Sequence, residues 1–533
     1  MSKYILNFLM DLIPQGFSYT LVALLAVCFI IYYLYKSSDF FTERVFNVSA
    51  IITVSLFLTT NLILWLSQRP TDQKQRLAIF PIDVSECVEN DKWMGWAISE
   101  AVGDYFQRGT TSEFIIYPVD WLQPIINSDS LKFESYLKSF SSRVRIDYYF
   151  SGSLLHQDNS YYLQYHLHSS DKLIDSARMK IDCNDHYFGL NIARRIKSHL
   201  REEIEINGSN RQNIEQLPLK NYILGKFALL ADSASQAIEY LELATKYDSS
   251  FSRSFTYLAA ANLQLGLKAK KSGHSSIQFY KSAKNCLEIA QKLNRSDSQN
   301  NIFYAKYYIL MEKWNHAETI LRQLITQDPN NPYSYLYLTQ LHPSRYMDLD
   351  FKNEEELLRH ALYLFPGFVE AAISLSDYYY NYLQDSKKAI EILQQMLTIN
   401  PNQIAILTSL GKLYIAANQA LPVMTTFKKI IEIDPLNSGV YYNLGIFYYN
   451  SEDYETALKL FKRAIKIDNH LDSHLYLAYI YEKMHKTEES HLKRKEHLNK
   501  AIEHLRIRIR NRRGQDDLYA ETARKHLFYL LHQ

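Results

Sequence analysis

A 34-residue period in the C-terminal half constrains this chain more than any other feature. Within Ser438–Leu471, Tyr441, Leu444, Gly445, Tyr448, Ala457, Phe461 and Ala464 place large apolar and small residues at helical spacings. The unit that starts at Ile404 carries Leu407, Leu410, Gly411, Tyr414, Phe427 and Pro435 in the same frame, and Pro401 and Pro435 stand one 34-residue period apart. Weaker copies in phase hold Leu224, Gly225, Ala228, Ala237, Leu241 and Ala244; Ala305, Tyr308, Trp314, Ala317, Leu321 and Pro329; Leu358, Ala361 and Pro366; and Leu375, Tyr379, Ala389 and Leu393. A period of this length signals helix pairs that cannot bury their apolar faces alone and stack into a solenoid. Small residues let the two helices of a pair approach, large ones fill the space between them, and proline ends the second helix because it lacks the N–H that helix continuation needs.

In frame with Ser438, those residues fall at positions 4, 7, 8, 11, 20, 24 and 27, which is similar to the tetratricopeptide pattern. The period predicts eight repeats over 217–533, with Leu518–Leu531 as a capping helix. The second repeat holds an insertion near Lys271–Gln278, and the last is extended near Lys486–Glu496. The resemblance implies a concave face lined by the first helix of each repeat. In the two best-framed repeats it selects Thr408, Lys412, Ile415 and Ala416, then Tyr442, Ile446, Tyr449 and Asn450, as contacts for a peptide or helix of a protein partner. Tyrosines suit that task because they bury area at small entropic cost. The competing reading is that these tyrosines only pack against the next repeat.

The N-terminal 67 residues read differently. Phe17–Tyr35 and Phe46–Leu66 are 19 and 21 residues without a charge, long enough to cross ~30 Å of hydrocarbon. They predict a two-helix membrane anchor over 1–67, followed by a polar linker at 68–76. Lys3, Arg69, Lys74 and Arg76 on one side outnumber Lys36 and Arg44 in the connecting loop. By the positive-inside rule this puts the soluble bulk in the cytoplasm of a bacterial inner-membrane protein, with a periplasmic orientation as the alternative.

From 77 to 205 the periodicity alternates between strand and helix. Leu77–Val84, Phe114–Val119, Asp147–Leu155, Tyr161–His168 and Leu173–Ile181 read as strands, with helices at Trp93–Gln107, Leu131–Phe140 and about His186–Glu203. The phrases LAIFPI, WMGWAISEAVGDYF and FIIYP, with Arg145, Tyr148, Phe150, Gly152 and Ser153 before a hairpin, resemble the TolB-like N-terminal domain. A short linker at 206–216 follows. Relatives of that kind imply a membrane-anchored regulator of the CadC or cyclase-associated type, here without an output domain. Cys87 and Cys183 share this segment and pair if it faces an oxidising compartment.

Signatures of catalysis are missing: the sequence contains no G-x-x-x-x-G-K-[ST], G-x-G-x-x-G, H-E-x-x-H, G-x-S-x-G or C-x-x-C. With only 15 glycines in 533 residues, against a usual ~7%, Gly-rich phosphate cradles are poorly supplied. The net charge of +2 gives no global pull towards nucleic acid. The basic run Lys486–Arg513 is interspersed with Glu488, Glu489, Glu496 and Glu503 and reads as a solvated helix face. His166 and His168, and His497 and His504, share faces but lack further ligands, so no metal or cofactor is expected. The sequence therefore predicts a mainly α, membrane-integral, non-enzymatic scaffold or signalling adaptor. A periplasmic sensor of pH or of a small ligand is the alternative.

Overall fold

In the computed structural model of the chain, the described residues are those of 75–532 without 108–113, 123–136, 138–139, 142, 145, 159, 170–171, 182–190, 197–215, 272–274, 343–344, 346–348, 350 and 513–516. They form one compact unit.

Its first part is a five-stranded sheet in the order β2-β1-β3-β4-β5. The strands are β1 (Gln75–Ile79), β2 (Phe114–Tyr117), β3 (Tyr148–Gln157), β4 (Ser160–Ser169) and β5 (Lys172–Ile181). β1 runs parallel to both β2 and β3, while β3, β4 and β5 are antiparallel. The Phe80 N–H still donates to the Phe150 carbonyl oxygen at 3.0 Å, but Pro81 offers no N–H, so pairing lapses there and resumes where Asp83 N–H donates to the Gly152 carbonyl oxygen at 2.8 Å. Gly152 is needed on steric grounds, since a Cβ there would lie 2.6 Å from the Gln164 carbonyl oxygen. Helix α1 (Trp93–Gln107) covers one face, and Ser99 ties it to β1 by donating to the Phe80 carbonyl oxygen at 3.0 Å.

The rest is helical: α2 (Gln216–Leu230), α3 (Ala234–Tyr247), α4 (Ser252–Lys271), α5 (Ile277–Leu293), α6 (Ser298–Leu310), α7 (Trp314–Gln327), α8 (Pro332–Leu338), α9 (Glu354–Leu364), α10 (Val369–Asn381), α11 (Ser386–Ile399), α12 (Ile404–Ala416), α13 (Ala420–Ile433), α14 (Ser438–Asn450), α15 (Tyr454–Asp468), α16 (Leu471–Thr487), α17 (His491–Arg510) and α18 (Leu518–Leu531). Consecutive helices pair from α2·α3 to α16·α17, and α18 packs on α17. A Cβ on Gly225, Gly411 or Gly445 would lie 2.5 to 2.6 Å from Leu241, Phe427 or Phe461 respectively, so the small residue sets how closely each pair packs. The turn inside a pair recurs with a left-handed residue at Gln384, Asn418 and Glu452, again at the 34-residue period.

The expected membrane-integral fold requires correction. No helix among the described residues is long and apolar enough to cross a membrane. α4 and α17, with 20 residues each, have the length, but Arg253, Lys268, Lys270 and Lys271 on one and Lys493, Arg494, Lys495 and Glu496 on the other forbid burial in hydrocarbon. The segments 17–35 and 46–66, on which the multi-pass inner-membrane localisation and its orientation rest, lie outside the described residues. The fold described is a helical solenoid joined to an α/β domain.

Candidate partner-binding groove

The inner-face residues selected from the sequence sit on α12 and α14. Lys412, Ala416 and Asn450 are exposed, whereas Thr408, Ile415, Tyr442, Ile446 and Tyr449 are half-buried. The two tyrosines turn towards the next repeat. The Tyr442 ring lies 4.4 Å from His470 and 5.8 Å from Tyr476, and the Tyr449 ring lies 5.4 Å from Tyr476 and 6.5 Å from Tyr479. The two contacts with Tyr476 are edge-to-face and cohesive, so Tyr442 and Tyr449 join adjacent repeats and present only their remaining surface to the groove. Burial, helped by neighbouring phenols, raises the Tyr442 and Tyr449 hydroxyls and pushes Tyr476 to about 12. All three stay protonated near neutrality. Beside them, burial raises the Asp377 carboxyl on α10, an effect that the Lys412 ammonium opposes.

The other end of the groove is not open. α1 lies against the inner face of the first two repeats, with the Trp96 ring 4.5 Å from Phe227. Glu100 accepts from the Tyr222 hydroxyl and from Lys226 at 2.9 Å and Arg253 at 3.0 Å, and Arg253 also pairs with Asp104. Lys226 is 2% exposed. Burial alone would raise the Glu100 carboxyl, but Lys226 and Arg253 outweigh it and hold the group below its ordinary value. Further along, Trp121 packs on Phe365 at 5.4 Å and Tyr333 at 6.3 Å, Arg76 donates to the Tyr363 carbonyl oxygen at 3.2 Å, and Arg143 donates to that of Thr398 at 2.6 Å. Among the described residues, contacts of the domain thus run deep on the first repeat and reach only the rim by α11.

Sequence reasoning passed over Tyr222, Lys226, Arg253, Glu100 and Asp104. The signal was present: Tyr222 and Lys226 hold in the first repeat the positions that Tyr442 and Ile446 hold in the seventh. Trp96, Glu100 and Asp104 recur every four residues, which sets them on one face of a helix. Other candidates resolve differently. The Cys87 thiol is free, donates to the Leu154 carbonyl oxygen at 3.2 Å, and is pushed up to about 11 by burial and then by Asp83, while Cys183 lies outside the described residues. Arg508, in the basic run, is fully buried between Asp472 at 2.9 Å and Asp517 at 2.7 Å rather than solvated. His504 leaves His497 to pair with His474, Nδ1 to Nδ1 at 2.9 Å, with both imidazoles lowered by burial to about 4. No group of three or more metal-ligating side chains occurs among the described residues.

Residues 426–459 match the family model of the tetratricopeptide repeat. The array is a TPR-type helical repeat. Among solved structures the chain is similar to a human IFIT1 dimer with PPP-AAAA, at 15% identity over 65% of this chain and 78% of that one, with a TM-score of 0.43. It is also similar to YrrB, described as a TPR protein with an unusual peptide-binding site (19% identity, 34% and 93% covered, TM-score 0.26), and to PilW, a type IV pilus biogenesis factor (14%, 42% and 97%, 0.33). At these scores the likeness carries no argument about what the chain binds. No curated protein matches the sequence, and none of these comparisons supports the TolB-like resemblance of 77–205.

Proposed function

We propose that the chain is a non-catalytic protein-binding scaffold that takes a peptide or helix of its partner in the inner groove of the C-terminal repeats. The observation that carries this reading is the division of the inner face. Among the described residues, the α/β domain fills the first repeats and reaches no further than Thr398 at the rim, and Lys412, Ala416 and Asn450 are exposed beside Thr408, Ile415 and Ile446. A strip of apolar patches with interspersed polar groups on a rigid helical wall is the surface that helix-in-groove recognition uses. Benzoylphenylalanine at Thr408, and separately at Lys428 on the outer helix α13, would be photolysed in the host cell. Adducts from Thr408 that are absent from Lys428 are expected, whereas equal labelling from both faces refutes the groove.

A further inference from the structure

An apolar outer face on a repeat array calls for something to cover it, because such arrays stay soluble by turning a polar face outwards. α18 turns an apolar face to solvent. Its inner side packs on the array through Ala520, Ala523 and Leu530, all buried, and His526 reaches Glu482 of α16 at 2.7 Å. On the opposite side Leu518 is 78% exposed and Phe528 65% exposed. Glu521 and Lys525 stand between them, both exposed. Leu518, Glu521, Lys525 and Phe528 follow one another at steps of three, four and three residues, which lines them up in one stripe along the helix.

The order of these four makes the stripe complementary to itself. From the N-terminus it runs apolar, acidic, basic, apolar, and from the C-terminus apolar, basic, acidic, apolar. An antiparallel copy therefore sets Leu518 against the partner's Phe528 and Glu521 against the partner's Lys525, and a two-fold axis repeats both contacts. A parallel copy would set acid on acid and base on base, which like-charge repulsion disfavours. Glu521 also pairs with Arg524 of its own helix at 2.9 Å, and in the antiparallel arrangement Arg524 comes opposite the partner's Thr522. We propose that this face is an isologous interface, through which two copies of the chain pair antiparallel along α18. The interface uses no residue assigned to the inner groove and stands independently of that reading.

The test is sedimentation velocity of the full-length chain over a range of concentrations. One helix pair is a small contact, so a reversible monomer–dimer equilibrium is expected, with a dissociation constant of roughly micromolar order. Leu518→Glu and Phe528→Glu should each weaken it about tenfold or more, whereas Ile277→Glu, at a residue 76% exposed on α5, should leave it unchanged. Glu521→Lys and Lys525→Glu should each weaken self-association by bringing like charges together, while an equimolar mixture of the two variants should restore it. All of these positions are exposed, so melting temperatures should stay close to that of the unmodified chain. A chain that is monomeric throughout, or an association that Phe528→Glu leaves unchanged or Ile277→Glu weakens as much, overturns the interface. Charge variants that associate as well apart as mixed overturn the antiparallel register.

Discussion

Lys226→Met tests whether the α/β domain is held in the array by charge. The ammonium lies 2.9 Å from Glu100, at 2% exposure, and sits over the rings of Tyr257 at 4.6 Å and Tyr222 at 5.4 Å. Removing one member of a buried ion pair costs about 3–5 kcal/mol. Glu100 keeps Arg253 at 3.0 Å and the Tyr222 hydroxyl, which places the loss at the lower end. Cation–π contact adds about 0.5–1 kcal/mol, while methionine preserves the packing. The expected loss is about 3 kcal/mol, or roughly a hundredfold in the opening equilibrium. Urea unfolding followed by tryptophan fluorescence reads it directly, because Trp96 packs edge-on against Phe227 at this contact. Glu100→Gln in the same background removes the stranded charge, so the double variant should recover about 2 kcal/mol relative to the sum of the single losses. A single-variant cost below about 1 kcal/mol, or strict additivity, would refute the reasoning that the Lys226–Glu100 charge pair holds the domain to the array.

The pH dependence has two windows. His474 and His504 are neutral in the fold and lowered to about 4 from the usual 6.5, so the unfolded chain binds more protons as pH falls from 6.5 towards 4 and the last repeats lose stability over that range; hydrogen exchange of 471–510 should accelerate there, and a flat profile contradicts it. Glu100, held below its ordinary 4.5, contributes stability above that value that is lost as pH drops through its lowered folded pKa, and Glu100→Gln should flatten the fluorescence transition below pH 4.5. Arg508→Leu strands Asp472 and Asp517 and should cost about 3–5 kcal/mol, seen as early exchange of α18, which those contacts pin; protection equal to that of the unmodified chain would show the triad to be dispensable. Gly445→Ala sets a Cβ 2.6 Å from the Phe461 ring and should cost about 1–3 kcal/mol by overpacking, measurable by urea unfolding against Asn450→Ala, which is expected within about 0.5 kcal/mol.

What could be read from sequence follows from what the repeat repeats. Gly225, Gly411 and Gly445 recur because each faces Leu241, Phe427 or Phe461 inside its own helix pair, and a contact confined to one unit leaves its mark at the unit's period. Contacts between unlike parts leave no such mark. Tyr222 and Lys226 hold positions equivalent to those of Tyr442 and Ile446, yet the first pair meets Glu100 and the second pair meets the next repeat. Periodicity assigns the face and is silent about the occupant. The same limit hid Arg508: a run of cations on a helix reads as solvated until Asp472 and Asp517 are seen to close on one of them from two other elements.

That limit bears on how the array works. A superhelix of similar units would offer a uniform inner wall, but α1 takes its beginning with Glu100 and Asp104. Charged residues stand at the ninth position of several inner helices: Lys226 on α2, Lys306 on α6, Asp377 on α10 and Lys412 on α12. Buried charge contributes little to stability unless it is matched, and Lys226 is matched by Glu100, whereas Asp377 and Lys412 form no ion pair among the described residues. Lys226 already selects a carboxylate from within the chain. If the wall as a whole reads charge in this way, exchanging Asp377 and Lys412 for each other should leave the melting temperature within about 1 °C, since neither forms an ion pair among the described residues, yet reorder which acidic or basic peptides the groove retains.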